Sequence, residues 1–251
     1  MLFLLPPSET KLDGGSVGSR LDVTRLSFEA LEAPRRASLA LLDELSRDEV
    51  VAARALKLGP TQAHEIVRNR SVTSSPTMPA LARYTGVLFD PLAVSSLDAD
   101  SWRWAHRHVV VHSALFGLVR AADEIPAYRL SHDSKVAGTT LKKVWRSSVS
   151  RVLAGLDEPV VDLRSEGYVG LGPAGEGSTY VRVVSDAGGR RRALNHFNKK
   201  TKGLFVRALA TDRPELTDVG DLTDWARARG FVIEPGAETV LVAESVLDAA
   251  A

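Results

Sequence analysis

Apolar residues open the chain in an unbroken run, Met1-Leu2-Phe3-Leu4-Leu5, which stops at Pro6-Pro7-Ser8-Glu9-Thr10-Lys11 and the glycines Gly14 and Gly15. A short continuous run ended by turn-forming residues predicts a buried strand that delivers a polar loop, and such loops often carry function. From Leu21 to about Arg70 the period becomes helical. Leu39, Leu42 and Leu45, then Val50, Ala53 and Leu56, recur at three- and four-residue spacing, with Ser46 placed to cap a helix that begins Arg47-Asp48-Glu49. Leu58-Gly59-Pro60-Thr61 is the turn between helices, and Ser71 to Pro79 is an exposed connector. Tyr84 to Leu92 suggests a short turn or strand feeding a helix, and Val109 to Val111 with Leu115 to Val119 a buried strand or two. Val160 to Leu163 and Tyr180 to Val184 pattern as strands, and Phe231 to Glu234 with Thr239 to Ala243 as a closing pair around Pro235-Gly236. Helices over about Leu141 to Leu153, Phe197 to Ala210 and Thr217 to Arg229 alternate with them. Interleaved strands and helices predict a mixed α/β (α+β) fold, and residues 1–251 suit a single domain; the pattern does not yield the strand order.

Composition narrows the chemistry. With 44% hydrophobic residues in 251, the chain can bury a substantial core, and it lacks the signatures of disorder, collagen or coiled coil. Lys and Arg total 32 against 31 Asp and Glu, so only the distribution of charge, and not the net +1, bears on a polyanionic partner. Zero cysteines exclude disulfides, thiol catalysis and cysteine-ligated metals. The opening apolar run has no positive flank and ends at a proline pair, charges break every later run, and the expected location is the cytoplasm, with no membrane partner.

The charge is unevenly spread. No acidic residue falls between Asp186 and Asp212, a window that holds Arg190, Arg191, Arg192, Lys199, Lys200, Lys202 and Arg207. On a helix, Lys199, Gly203 and Arg207 share one face at four-residue spacing, while Phe197, Leu204, Phe205 and Ala208 form another; this predicts a cationic stripe in which Gly203 admits a phosphate or a backbone. A second acid-free stretch, Ser134 to Leu156, carries Lys135, Lys142, Lys143, Arg146 and Arg151. If the two meet, they frame a positive cleft; if not, each is a solvated helix face. Leu58-Gly59-Pro60-Thr61 has the form of a helix-hairpin-helix turn that aims backbone N–H groups at a phosphate, although Glu65 follows it and a plain core hairpin has the same form. His106 and His108 lack a third ligand and suit helix packing, so neither metal nor cofactor is expected. Ser113 and Ser165 lack a nucleophile-elbow setting, and Gly167 to Gly177 fits no phosphate-loop fingerprint.

Several segments, in order, resemble the YaaA peroxide-stress protein family. They are Leu4-Leu5-Pro6-Pro7-Ser8-Glu9-Thr10-Lys11, Tyr84-Thr85-Gly86-Val87, and Ser113 to Arg120 followed by Asp123, Ile125-Pro126 and Tyr128-Arg129-Leu130. Trp145, Asp162-Leu163 with Ser165 and Tyr168, and Lys199 to Gly203 with Arg207 continue the match. The resemblance implies a single-domain mixed α/β fold with a positively charged cleft and a helix-hairpin-helix-like element. It also implies binding of double-stranded or branched DNA and protection against peroxide and iron-linked damage.

Three functions fit these features. A DNA-binding stress protein would place Lys199, Lys200, Lys202 and Arg207 on phosphates, with Arg120, Arg129 and Lys11 lining the same cleft. An enzyme for a phosphorylated or nucleotide-like small molecule would use the same cations to hold substrate, with Ser8, Glu9 and Lys11 as candidates for acid–base work. A protein-interaction module would show a flat basic patch. Depth separates them: an open groove suits duplex DNA, and a deep pocket containing Glu9 suits an enzyme. Arg129, between apolar Tyr128 and Leu130, is expected to be buried against a carboxylate, with Asp123 the nearest in sequence.

Overall fold

A computed structural model of the chain describes residues 1–187, 190–192, 195–236 and 239–249. Its strands are β1 (Leu2–Leu5), β2 (Met78–Pro79), β3 (Val109–Ser113), β4 (Gly117–Arg120), β5 (Glu124–Ile125), β6 (Val160–Asp162), β7 (Ser178–Ala187), β8 (Arg190–Arg192), β9 (Ile233–Glu234) and β10 (Thr239–Val242). The main sheet runs β4-β3-β1-β6-β7-β10-β9, with β8 added to β7, while β2 and β5 form a separate ribbon. Strands β3, β1, β6, β7 and β10 are parallel, and β4 and β9 close the two ends antiparallel.

The opening apolar run is central because it is apolar on both faces. In β1, Leu4 stands between Val110 and Asp162, and Leu2 to Leu5 are wholly buried, as a parallel strand covered by helices on both sides must be. The core around it is continuous from Met1 to Val246. Helix Glu32–Arg47 buries Leu42 and Leu45. Helix Leu141–Ala154, capped by Thr140, buries Leu141, Trp145, Val149 and Leu153. Trp145 fits because Gly117, at φ 66°, has no side chain: a Cβ there would lie 2.6 Å from the indole. Two buried arginines tie loops to this core. Arg35 donates to the carbonyls of Ser27, Phe116 and Leu118, and Arg83 to those of Leu12, Gly14, Pro76 and Ile125.

The predicted elements recur with local differences. Ser46 caps nothing, because the first long helix continues through Arg47 and leaves Ser46 inside its last turn, where Oγ donates back to Leu42 O at 2.6 Å. The cap of helix Glu49–Ala55 is Asp48, whose carboxylate accepts the N–H groups of Val50 and Val51 at 2.9 and 3.0 Å. The Gly59-Pro60 turn does join two helices, Glu49–Ala55 and His64–Arg70, through a short 3-10 turn. Its Gly59 N–H, however, donates to Gln62 Oε1 at 2.8 Å, so this donor is already occupied. Glu65 turns inward, is buried and pairs with Arg68. His108 bonds Met1 O through Nδ1 at 2.9 Å and packs on Trp104 at 4.5 Å, a helix-packing role. No helix among the described residues is long and apolar enough to cross a membrane.

Candidate functional site

From β1 the chain moves to β3 on one side, and it later returns to β6 on the other. Loops leaving the C-terminal ends of β1 and β6 therefore diverge, the arrangement that opens a ligand crevice in parallel sheets. The crevice is a hollow of about 590 Å3 whose lining includes Pro6, Ser8, Glu9, Val87, His132, Ser165, Tyr168 and Lys199. A second hollow of about 370 Å3 shares Pro6, His132, Ser165 and Lys199 with it and adds Tyr180, Arg182, Asn198 and Lys202. The lining carries Glu9 and Glu166 as well as cations.

On the β1 wall, Lys11 bridges to Tyr84 and turns its ammonium back under its own loop, donating to Ser8 O at 2.8 Å and Glu9 O at 3.3 Å. It lies 4.1 Å from the Tyr128 ring centre and 5.2 Å from that of Tyr84. Burial pushes its pKa down to about 7; Glu65 and Glu9 oppose the shift, and Arg129 and Arg68 reinforce it. Beneath it runs a chain of hydroxyls. Ser113 Oγ accepts from Leu115 and Phe116 N–H, which leaves its own proton for Tyr128 at 2.7 Å, and Tyr128 meets Tyr84 at 2.9 Å. Burial holds both phenols above the ordinary tyrosine value.

Arg129 is buried against a carboxylate, as expected, but the partner is Glu9 at 2.5 Å. Asp123 instead accepts from Ser27 N and Oγ and from Arg120 N, at 2.7 to 3.0 Å. The reason is topological: Asp123 closes the turn after β4 at one end of the sheet, and the chain from Glu124 onward carries Arg129 to the other end, where Asn69 fixes its backbone.

On the β6 wall, Asp162 and Arg164 form a buried bidentate pair at 2.8 and 2.6 Å. Arg164 also donates to His112 Nδ1 at 2.7 Å and Gly172 O at 2.9 Å. A guanidinium only donates, so Nδ1 accepts and the His112 proton sits on Nε2, which has no acceptor among the described residues. Burial and Arg164 together hold His112 neutral, well below its ordinary pKa. Lys202 comes from helix Asn195–Asp212 and donates to Leu163 O at 2.7 Å. Burial pushes it down to about 8, with Asp162 opposing and Lys199 reinforcing.

Of the seven cations singled out in the sequence, Lys199 and Lys202 line these hollows, and Lys11 and Arg129 lie against the Ser8-Glu9 loop behind the wall of the first. Lys199 is exposed on the lining, and Lys200 is exposed on the same helix without lining either hollow. Arg207 lies two turns further on, where it donates to Leu92 O and Ala93 O at 3.0 and 3.1 Å. Those carbonyls need a donor because helix Phe89–Leu92 ends at Ala93 in the left-handed region. Arg120 sits at the opposite end of the sheet, over the Phe28 ring and bonded to Arg107 O. The predicted stripe is thus divided: between Lys199 and Arg207, Gly203 is pressed against Leu88, whose carbonyl oxygen would be 2.0 Å from any Cβ. The second basic helix, Leu141–Ala154, packs on Glu32–Arg47 and β4, whereas Asn195–Asp212 packs on Phe89–Leu92, Ala99–His108 and β7. Arg190, Arg191, Arg192 and Phe197 have side chains outside the described residues.

The sequence marks Tyr84, Tyr128 and Asp162 as parts of the family motifs without giving them a role, and it does not single out His112 and Arg164; an aspartate ending a buried strand with an arginine two residues on is the available signal for the Asp162–Arg164 pair. Among the described residues no three His, Asp or Glu side chains gather as metal ligands.

A family model described as peroxide stress protein YaaA matches residues 1–237. A UPF0246 protein of Corynebacterium efficiens is 43% identical over 242 residues, covering 93% of this chain and 95% of its own. A UPF0246 protein of Streptomyces coelicolor is 38% identical over 242 residues, covering 93% and 92%. An uncharacterized protein of Campylobacter jejuni is 25% identical over 210 residues, covering 82% and 83%.

Proposed function

The chain belongs to the YaaA peroxide stress protein family, and from that premise we propose that its crevice binds and chemically alters a small phosphorylated or nucleotide-like molecule as part of the response to peroxide. One observation carries this reading. Lys11, Arg129 and Lys202 are buried and turned onto protein oxygens, Arg129 and Lys11 behind the loop whose Glu9 lines one hollow and Lys202 on the wall of the adjoining hollow. A surface built to track duplex phosphates would present such groups to solvent. The volume of about 590 Å3 lies within the range of small-molecule sites.

Of the candidates for acid–base work, Ser8 and Glu9 line the hollow. Glu9 is 57% exposed on its side chain and oriented by Arg129, whereas Lys11, its pKa lowered to about 7 by burial, sits behind the same loop and turns its ammonium onto Ser8 O and Glu9 O. A panel of nucleotides and phosphorylated metabolites, screened by thermal shift and then for turnover, tests the proposal. Some member should raise the melting temperature and be converted, and Glu9→Gln should abolish conversion while keeping binding. Absence of any stabilising small molecule, with tight duplex binding, would reverse it.

The exposed pair Lys199 and Lys200 favours a second reading, in which the rim of the crevice meets double-stranded or branched DNA. On that reading Lys199 and Lys200 contact phosphates from solvent, while Lys202, Arg207, Arg120, Arg129 and Lys11 hold the fold around them.

A further inference from the structure

The smaller hollow contains a feature that the acid–base chemistry around Glu9 does not use. Lys202 lines it with the residue only 8% exposed, yet among the described residues its ammonium meets a single acceptor, Leu163 O. An ammonium carries three donors, and leaving two of them unmatched in a buried place is costly unless something else fills the site. Lys199, three residues earlier and so on the same side of the helix, lines the same hollow from solvent. Among the described residues Asn198 Oδ1 is buried there without a donor, and half a turn of the amide would place its NH2 in that position. Ser165 is free of any helix-capping bond. Four side chains with donors to spare therefore surround one small space, and two are adjacent cations.

Resting on the small-molecule reading above, we propose that the hollow between Lys199 and Lys202 is the seat of a terminal phosphate, and that the ligand is a nucleoside monophosphate whose ring lies in the larger hollow. A phosphate dianion matches two neighbouring ammonium groups in charge and offers acceptors for Lys202, Lys199, Ser165 and the Asn198 amide at once. The larger hollow shares Lys199, Ser165 and His132 with the smaller one, so one molecule can occupy both. Its wall of Pro6, Val87, Phe89 and Tyr168 suits a flat, weakly polar ring.

The site has a proton signature. Burial and Lys199 depress Lys202, while Asp162 raises it; among the described residues Glu166, Arg182 and Arg164 are the other charges nearby, and His132 and Tyr180 are the other titratable groups on the lining. A dianion outweighs the lysine repulsion, so at a pH near 8 binding draws a proton onto Lys202.

The test is calorimetric titration of the full chain with the four ribonucleoside 5′-monophosphates and the matching nucleosides, at pH 8 in two buffers of different ionisation enthalpy. At least one monophosphate should bind with proton uptake and be preferred to its nucleoside by about ten-fold or more. Lys202→Met and Lys199→Glu should each erase that preference, and Lys202→Met should also erase the uptake. Lys199 is exposed, so Lys199→Glu keeps the test decisive if the buried variant fails to fold. Equal affinity for nucleoside and monophosphate, or monophosphate binding unchanged in Lys199→Glu, would overturn the phosphate seat while leaving the crevice as a small-molecule site. No binding by any of the eight compounds overturns the seat; if the wider panel also fails, the small-molecule reading falls with it.

Discussion

Lys11 sits in a setting far from its chemistry in water. It is buried, held by two carbonyls and two aromatic rings, and its pKa falls from the ordinary 10.5 to about 7. The unfolded chain keeps this proton up to about pH 10.5 and the folded chain releases it near 7, so between those values the unfolded state binds more protons and stability rises with pH. Compared with Lys11→Met, the wild type should gain roughly 1.4 kcal/mol per pH unit in that window and nothing below it. Urea denaturation of both proteins from pH 6 to 9 measures this; Lys202 titrates in both and cancels. Arg129 supplies a second residue-scale prediction. Its coupling with Glu9 in a double-mutant cycle should be about 0.5 kcal/mol or more, whereas Arg129 and Asp123, held at opposite ends of the sheet, should add to within about 0.5 kcal/mol. Asp123→Ala should still cost roughly 1–3 kcal/mol, because three donors from Ser27 and Arg120 lose their acceptor.

At the scale of the element, the helix Asn195–Asp212 is positioned by one missing side chain. Gly203 usually lowers helix stability by about 1 kcal/mol relative to alanine, and in an exposed helix Gly203→Ala would be a gain. Here the helix backbone rests on Leu88 O, and a Cβ 2.0 Å from it forces the helix off the loop that walls the crevice. Gly203→Ala should therefore destabilise by roughly 1–3 kcal/mol and displace Lys199 and Lys202 from the hollows, read as a lower denaturation midpoint together with weakened ligand binding. The cap of helix Glu49–Ala55 makes a smaller claim: Asp48→Ala should cost about 1 kcal/mol in the same measurement, since two N–H groups lose their acceptor.

For the whole molecule, the question is how many cations a duplex could meet from solvent. The sequence places Lys11, Arg120, Arg129, Lys199, Lys200, Lys202 and Arg207 as candidates, but among the described residues only Lys199 and Lys200 are exposed and turned onto no protein acceptor, and both sit on one helix. If duplex DNA binds through this pair, log K against log salt should slope by about −2, compared with the −6 or so that seven phosphate contacts would give. Fluorescence anisotropy of a labelled duplex between low and physiological salt separates the two values. A chain of nearly zero net charge can still be locally cationic: Lys199 and Lys202 line one hollow, while acids such as Asp43, Glu44 and Asp48 lie on the helical layer.

The sequence by itself determined the elements, because their signals are local. Five apolar residues stopped by Pro6-Pro7 make β1 with its loop, the periodic leucines make helix Glu32–Arg47, and Pro235-Gly236 turns β9 toward β10. It also carried the family, since short motifs in fixed order survive as strings of letters. Ser46 misled because a cap depends on where the preceding helix stops, which the packing of Leu42 and Leu45 settles. The tertiary structure alone decided who meets whom. Glu9 pairs with Arg129 across 120 residues and Lys202 meets Leu163 across 39, contacts set by strand order, which hydrophobic periodicity does not encode. For the same reason seven cations alike on the page divide between a crevice, a helix end and the far edge of the sheet: charge is a property of the residue, but its partners are a property of the topology.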